Sequence, residues 1–173
     1  YGPGGSGKSN IVMCACVSQA KKGNKVVFID TEGSFSVERF VQIHGGEKEE
    51  IQKDFQNVLV MNPTSFSEQQ LAFSNLLKWI KSKEISLIII DSLVILYRLE
   101  LGDAIKTQDP KAIGDVNRTL ASQLRSLNEI ARKRKIPVLV TNQVYTSFVR
   151  DTVDESVAKE INMVGGDLLK YCS

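Results

Sequence analysis

The chain has 173 residues, 42% of them hydrophobic and 24% charged, with a formal net charge of +2. This suits one globular domain with a real core, and so small a charge gives no argument for a nucleic-acid partner by itself. One histidine and three cysteines without a C-x-x-C pair argue against a zinc site, and with no apolar run of about 18 residues no membrane span is expected.

The free cysteines fit a reducing, cytoplasmic setting. The chain opens on Tyr1 and reaches a motif at once. It reads as a fragment, one core over residues 1–173 with flanking strands lying outside both ends.

Residues 2–9, Gly-Pro-Gly-Gly-Ser-Gly-Lys-Ser, fit the phosphate-loop pattern G-x-x-x-x-G-K-[ST]. Gly4, Gly5, Ser6 and Gly7 let backbone N–H groups wrap a phosphate, and the helix that follows points its positive end at it. Lys8 reaches the β- and γ-phosphates, and the Ser9 hydroxyl meets Mg²⁺. The helix over residues 8–22 begins with Lys8, Ser9 and Asn10 and ends at Gly23, a plausible C-cap. Cys14 and Cys16 read as small core residues of that helix.

A buried strand follows over residues 25–30 and stops on Asp30, with Glu32 just beyond it. In a parallel sheet that end faces the ligand crevice. From there Glu32 can reach a water in line with the γ-phosphate, although a solvated turn acid reads equally well from composition. A short helix spans residues 36–45, with His44 at its end. A second strand covers residues 58–61. A helix over residues 67–83 starts at a Ser67/Gln70 capping box and carries Phe73, Leu76, Leu77 and Ile80 on one face, with Trp79 packing beside Ile80.

The third strand, residues 87–91, is apolar to its last residue, Asp91. A carboxylate there can hold Mg²⁺ through water beside Ser9. Residues 100–115 read as a polar loop. A helix over residues 116–135 shows Val116, Leu120, Leu124, Leu127 and Ala131 in one stripe and ends in a basic run that suits a helix C-terminus. The fourth strand, residues 137–142, leads to Gln143, whose amide can bond a γ-phosphate oxygen or merely cap its neighbour. Residues 145–166 read as a second long polar loop containing Phe148. Strands apolar on both faces, alternating with helices, mean an α/β fold: a mostly parallel sheet flanked by helices on both faces.

The segments IDTEGSFSVERF, LIIIDS, LYR and VTNQV, with VGGDLLKYCS after a gap, resemble the RecA/RadA recombinase family. Within it they are most similar to the archaeal RadB group of RadA paralogues. The resemblance implies a RecA-like P-loop NTPase core, a DNA-dependent and slow ATPase with ATP and Mg²⁺ as ligands, acting in DNA repair and recombination. It implies that Glu32 activates water, that Arg39 packs on the adenine face, and that Gln143 senses the γ-phosphate. The two polar stretches would face DNA, single-stranded or double-stranded, with Gly165 and Gly166 closing the second. A RadA-like recombinase and further copies of the chain are the implied protein partners. Asp151, Asp154, Glu155 and Glu160 in the second stretch weaken the case for direct phosphate contact. An active strand-exchange recombinase and a regulatory ATPase of the KaiC kind are the rival readings.

Overall fold

The computed structural model describes residues 1–82, 84–150 and 157–163; for 145–150 and 157–163 the description covers the backbone. Four strands make one parallel sheet in the order β2-β1-β3-β4: β1 (Lys25–Asp30), β2 (Val58–Met61), β3 (Ile85–Asp91) and β4 (Val138–Val140). Asp30 and Asp91 are direct partners in the β1–β3 register, so two carboxylates end neighbouring strands on the same edge of the sheet. Gly2 forms a parallel bridge with Gln143, which brings the phosphate-loop motif alongside the end of β4.

Strand side chains alternate between faces, and both faces are covered. Val27 and Ile29 of β1 and Ile88 and Ile90 of β3 pack with α4 (Phe66–Ser82), α5 (Ile95–Lys106) and α6 (Pro110–Glu129). Val26, Phe28, Leu87 and Ile89 pack on the other side with α1 (Lys8–Lys21) and α2 (Val37–His44), and Ile51 and Phe55 of α3 (Lys48–Phe55) lean on that cluster. Central strands of such a sheet must be apolar throughout, which is why Leu87 to Ile90 carry no polar residue.

Helix ends follow their local chemistry. Gly23, at φ +75°, closes α1 in a left-handed turn. The Ser36 hydroxyl accepts the Arg39 N–H and starts α2. Asp109 caps α6 by accepting the Lys111 N–H, with Pro110 in the first helical position.

Several sequence expectations need correction. Residues 100–115 are not a loop: α5 runs through Lys106 and α6 begins at Pro110. Ala104, together with Leu96 and Tyr97, is the buried side of a helix whose outer side mixes Arg98, Glu100, Asp103 and Lys106 with exposed Leu99 and Ile105. That mixed outer face hid the period. Residues 145–166 are not loop throughout either. β5 (Val144–Arg150) and β6 (Val157–Met163) pair antiparallel, from Val144 opposite Met163 to Arg150 opposite Val157. Phe148 lies on β5, while Gly165 and Gly166 fall outside the described residues. α3 was not read from the sequence because none of its residues is fully buried.

The capping box of α4 sits two residues earlier than expected. Ser65 accepts the Glu68 N–H, and the Glu68 carboxylate reaches back to the Thr64 N–H. Helix α6 ends in a π-helical turn, Ile130–Arg134, that holds most of the basic run. Cys14 is exposed, whereas Cys16 is fully buried, and that burial pushes its thiol pKa up to about 12. His44 does end α2, but its ring is buried and its Nε2 lies 2.9 Å from Asp54 Oδ2. Its Nδ1 accepts the Gly46 N–H at 3.2 Å, so the Nε2 hydrogen points to Asp54. Among the described residues no helix is long and apolar enough to cross a membrane.

Candidate nucleotide-binding site

The motif at residues 2–9 folds as a tight loop against the start of α1. Gly5 (φ +73°) and Gly7 (φ +84°) adopt the left-handed conformation, so a side chain at either position would strain the turn. At Gly2 a Cβ would come 2.8 Å from the Ser6 Oγ, a contact that rotation of the hydroxyl relieves. Gly7 is the N-cap of α1, no side chain caps that end, and its first turn holds no acid. The first N–H groups of α1 are thus left to an external acceptor, and the helix dipole favours an anion there by about 0.3–1 kcal/mol. The Lys8 ammonium donates to the Gly2 carbonyl at 3.0 Å and the Pro3 carbonyl at 2.8 Å, which folds it over the loop.

A cleft of about 240 Å³ opens above this loop, lined by Gly4, Gly5, Ser6, Gly7, Lys8, Ser9, Asn10, Glu32, Asp91 and Gln143. Gly4 to Gly7 come from the loop, Lys8, Ser9 and Asn10 from the first turn of α1, and Glu32, Asp91 and Gln143 from the ends of β1, β3 and β4 that the parallel register brings together. The Gln143 amide nitrogen lies 3.3 Å from each oxygen of Glu32. Arg39 does not line the cleft, but its guanidinium donates to Asn10 Oδ1, which does.

Asp91 is buried at the end of β3. Its Oδ1 accepts the Thr141 hydroxyl, and its Oδ2 accepts the Ser34 hydroxyl at 2.6 Å. Thr31 Oγ1 donates to the Ser92 carbonyl and accepts the Ser92 N–H, at 2.6 and 2.9 Å, which stitches the turn after β1 to the turn after β3. Asp30 is buried too, but it points into its own turn. It accepts N–H groups from Glu32 (3.2 Å), Ser34 (3.0 Å) and Phe35 (2.9 Å), and the Asn62 amide at 3.3 Å.

The model of the Rad51 family matches residues 1–173. The DNA repair and recombination protein RadB of Methanobrevibacter smithii is 39% identical over 175 residues, covering all of this chain and 68% of that protein. RadB of Methanococcus maripaludis strain C7 is 40% identical over 173 residues, covering 71% of that protein. The chain belongs to the Rad51 family.

For this Rad51-family chain, the residues named from sequence as phosphate, cation and water ligands converge on one cleft, and Arg39 stands at its margin. The donor set suits a triphosphate with a hard cation. Open space above Gly4, Gly5 and Gly7 leaves room for phosphate oxygens. A hydroxyl and a carboxylate are the oxygen ligands that Mg²⁺ prefers. Each oxygen of Asp91 takes one hydroxyl donor and keeps a lone pair for a cation or its water. Sequence reasoning missed Ser34, Thr141 and the role of Asp30. A serine four residues after a strand-end aspartate is the only signal, and it means little until the β1–β3 register is known.

Proposed function

We propose that this chain is the ATP-binding core of a DNA repair and recombination protein of the RadB kind. It would assist a RadA-like recombinase on DNA in the cytoplasm and turn ATP over slowly. Rad51-family proteins are ATPases generally. The observation that carries the reading is the single cleft that unites the phosphate loop with Glu32, Asp91 and Gln143.

In this reading the loop N–H groups of Gly4 to Ser9 and the Lys8 ammonium hold the β- and γ-phosphates. On nucleotide binding Lys8 exchanges two carbonyl partners for phosphate oxygens, a stronger charge-assisted pairing. Ser9 and Asp91 hold Mg²⁺, which neutralises phosphate charge when bound. Arg39 and Asn10 border the base, and Arg39 packs against its face. Glu32 orients and deprotonates the attacking water.

Gln143 donates to Glu32 in the structure and is also the amide nearest the γ-phosphate position in this reading. The Gln143 amide carries two hydrogens, both now facing the Glu32 carboxylate; in this reading one turns to the γ-phosphate and loosens the hold on Glu32, which is then freer to take water. The residue after Gln143 begins β5, which gives the exchange a route into the hairpin. A RadB-kind mediator rather than a strand-exchange motor is favoured by the α5–α6 segment. It is helical and near balanced in charge, with Asp103 and Asp115 paired to Lys106 and Arg118. These exposed pairs are weak, but the even balance of acids and cations leaves little net positive charge for phosphate neutralisation.

The test is ATP binding and hydrolysis by the full-length protein, with and without single-stranded DNA, alongside Lys8→Ala and Glu32→Gln. Expected is ATP binding that Lys8→Ala weakens by about 100-fold, with slow turnover that Glu32→Gln lowers at least about tenfold. Strong stimulation by DNA would favour the strand-exchange reading. Equal turnover in wild type and Glu32→Gln would remove Glu32 from the chemistry.

A further inference from the structure

Ser34 has two carboxylates within reach. Its hydroxyl lies 2.6 Å from Asp91 Oδ2 and 3.3 Å from Asp30 Oδ1, while its own N–H donates to Asp30 Oδ1 at 3.0 Å. A hydroxyl carries one hydrogen, so the shorter contact takes it and Asp91 is the principal acceptor. Thr141 supplies the matching donor on Asp91 Oδ1. The carboxylate plane of Asp91 is therefore held from both sides by hydroxyls on two other segments.

Ser34 is tied in turn by Asp30, whose remaining donors are the Glu32 and Phe35 N–H groups and Asn62. The bond from Ser34 to Asp91 crosses from β1's turn to β3's end. It links the segment that presents Glu32 to the carboxylate assigned to the cation.

The geometry points to Ser34 as a positioning residue: its hydroxyl, set between Asp91 and Asp30, fixes the orientation of the cation-binding carboxylate and couples it to the Glu32 turn. This deepens the nucleotide-site reading and rests on Asp91 meeting Mg²⁺. Outer partners that orient a metal ligand commonly change metal affinity by 10- to 100-fold when removed. The fixed plane also resists rotation of Asp91 toward its neighbour Asp30 when no cation is bound.

The experiment is a Mg²⁺ titration of fluorescent-ATP binding to the full-length protein, with binding in excess EDTA as the reference. Ser34 is not among the residues that line the cleft, so Ser34→Ala should bind nucleotide in EDTA as wild type does. Its Mg²⁺ midpoint should rise about tenfold. Ser34→Thr, which keeps the hydroxyl, should restore the midpoint to within about threefold of wild type. Ser34→Cys keeps the shape and donates weakly, so it should fall between them and serves if the alanine variant folds poorly.

A midpoint unchanged in both Ser34→Ala and Ser34→Cys, while Asp91→Asn shifts it, would overturn the role of Ser34 alone. An unchanged midpoint in Asp91→Asn would overturn the assignment of Asp91 to the cation, and Ser34's role with it.

Discussion

The ends of β1 and β3 offer a controlled contrast. Each stops on an aspartate, the two residues are partners in register, and both are buried, at 1% and 2% exposure. They differ in what donates to them. Asp30 is met mainly by backbone N–H groups of its own turn, so it is part of the chain's geometry. Asp91 is met by two side-chain hydroxyls from distant segments and faces a cleft. Backbone donors are fixed by the turn they close. The two hydroxyl donors come from separate segments, so they hold the plane of their acceptor while leaving each oxygen a lone pair. Position and burial alone do not separate the carboxylate that closes a turn from the one proposed to meet a cation; the two differ in the class of donor.

The sharpest test of this contrast is Asp30→Ala. It strands three backbone N–H groups of one turn and should lower the unfolding free energy by about 3 kcal/mol, read by urea denaturation. A loss under about 1 kcal/mol would mean water replaces the carboxylate and the turn does not depend on it. Asp91→Asn should show the reverse profile. The Ser34 and Thr141 hydroxyls can each donate or accept, so they can re-pair with an amide and the stability cost stays near 1 kcal/mol. Mg²⁺-dependent nucleotide binding should fall by a factor of ten or more. Equal stability losses in the two variants would erase the distinction.

Much of the site was legible in the sequence, and the reason is physical. A phosphate loop must be written in consecutive residues, because glycine conformations and the adjoining helix end are local properties. β1 and β2 match their expected bounds because apolar runs between turns have few alternatives. What failed to show was whatever depends on a partner elsewhere. Ser34 and Thr141 gain meaning only when Asp30 and Asp91 stand side by side. α5 was hidden because its apolar side is short and its outer side mixes polar residues with exposed Leu99 and Ile105. The β5–β6 pair was hidden because its strands pair only with each other, in a separate two-stranded sheet, and carry no long apolar run.

Glu68 extends the contrast to a third carboxylate and carries the smallest expected effect. Like Asp30 it accepts a backbone N–H, from Thr64 at 2.7 Å, and it also accepts the Thr64 hydroxyl at 2.9 Å. Unlike Asp30 it is exposed. The Thr64 backbone and side-chain bonds, in that order, hold its carboxyl below the ordinary value of 4.5. A depressed folded-state pKa means the folded chain favours the ionised form. Its stabilisation is complete above 4.5 and is lost as pH falls through the lower, folded value. Wild type should therefore be slightly more stable than Glu68→Gln at neutral pH, with urea midpoints that converge once the pH is well below the folded value. A gap that persists at that pH would mean the ionised carboxylate is not its source. A gap at neutral pH as large as that of Asp30→Ala would show that donor class alone sets the size of the effect. A much smaller one would show that backbone donation matters most where water cannot take the carboxylate's place.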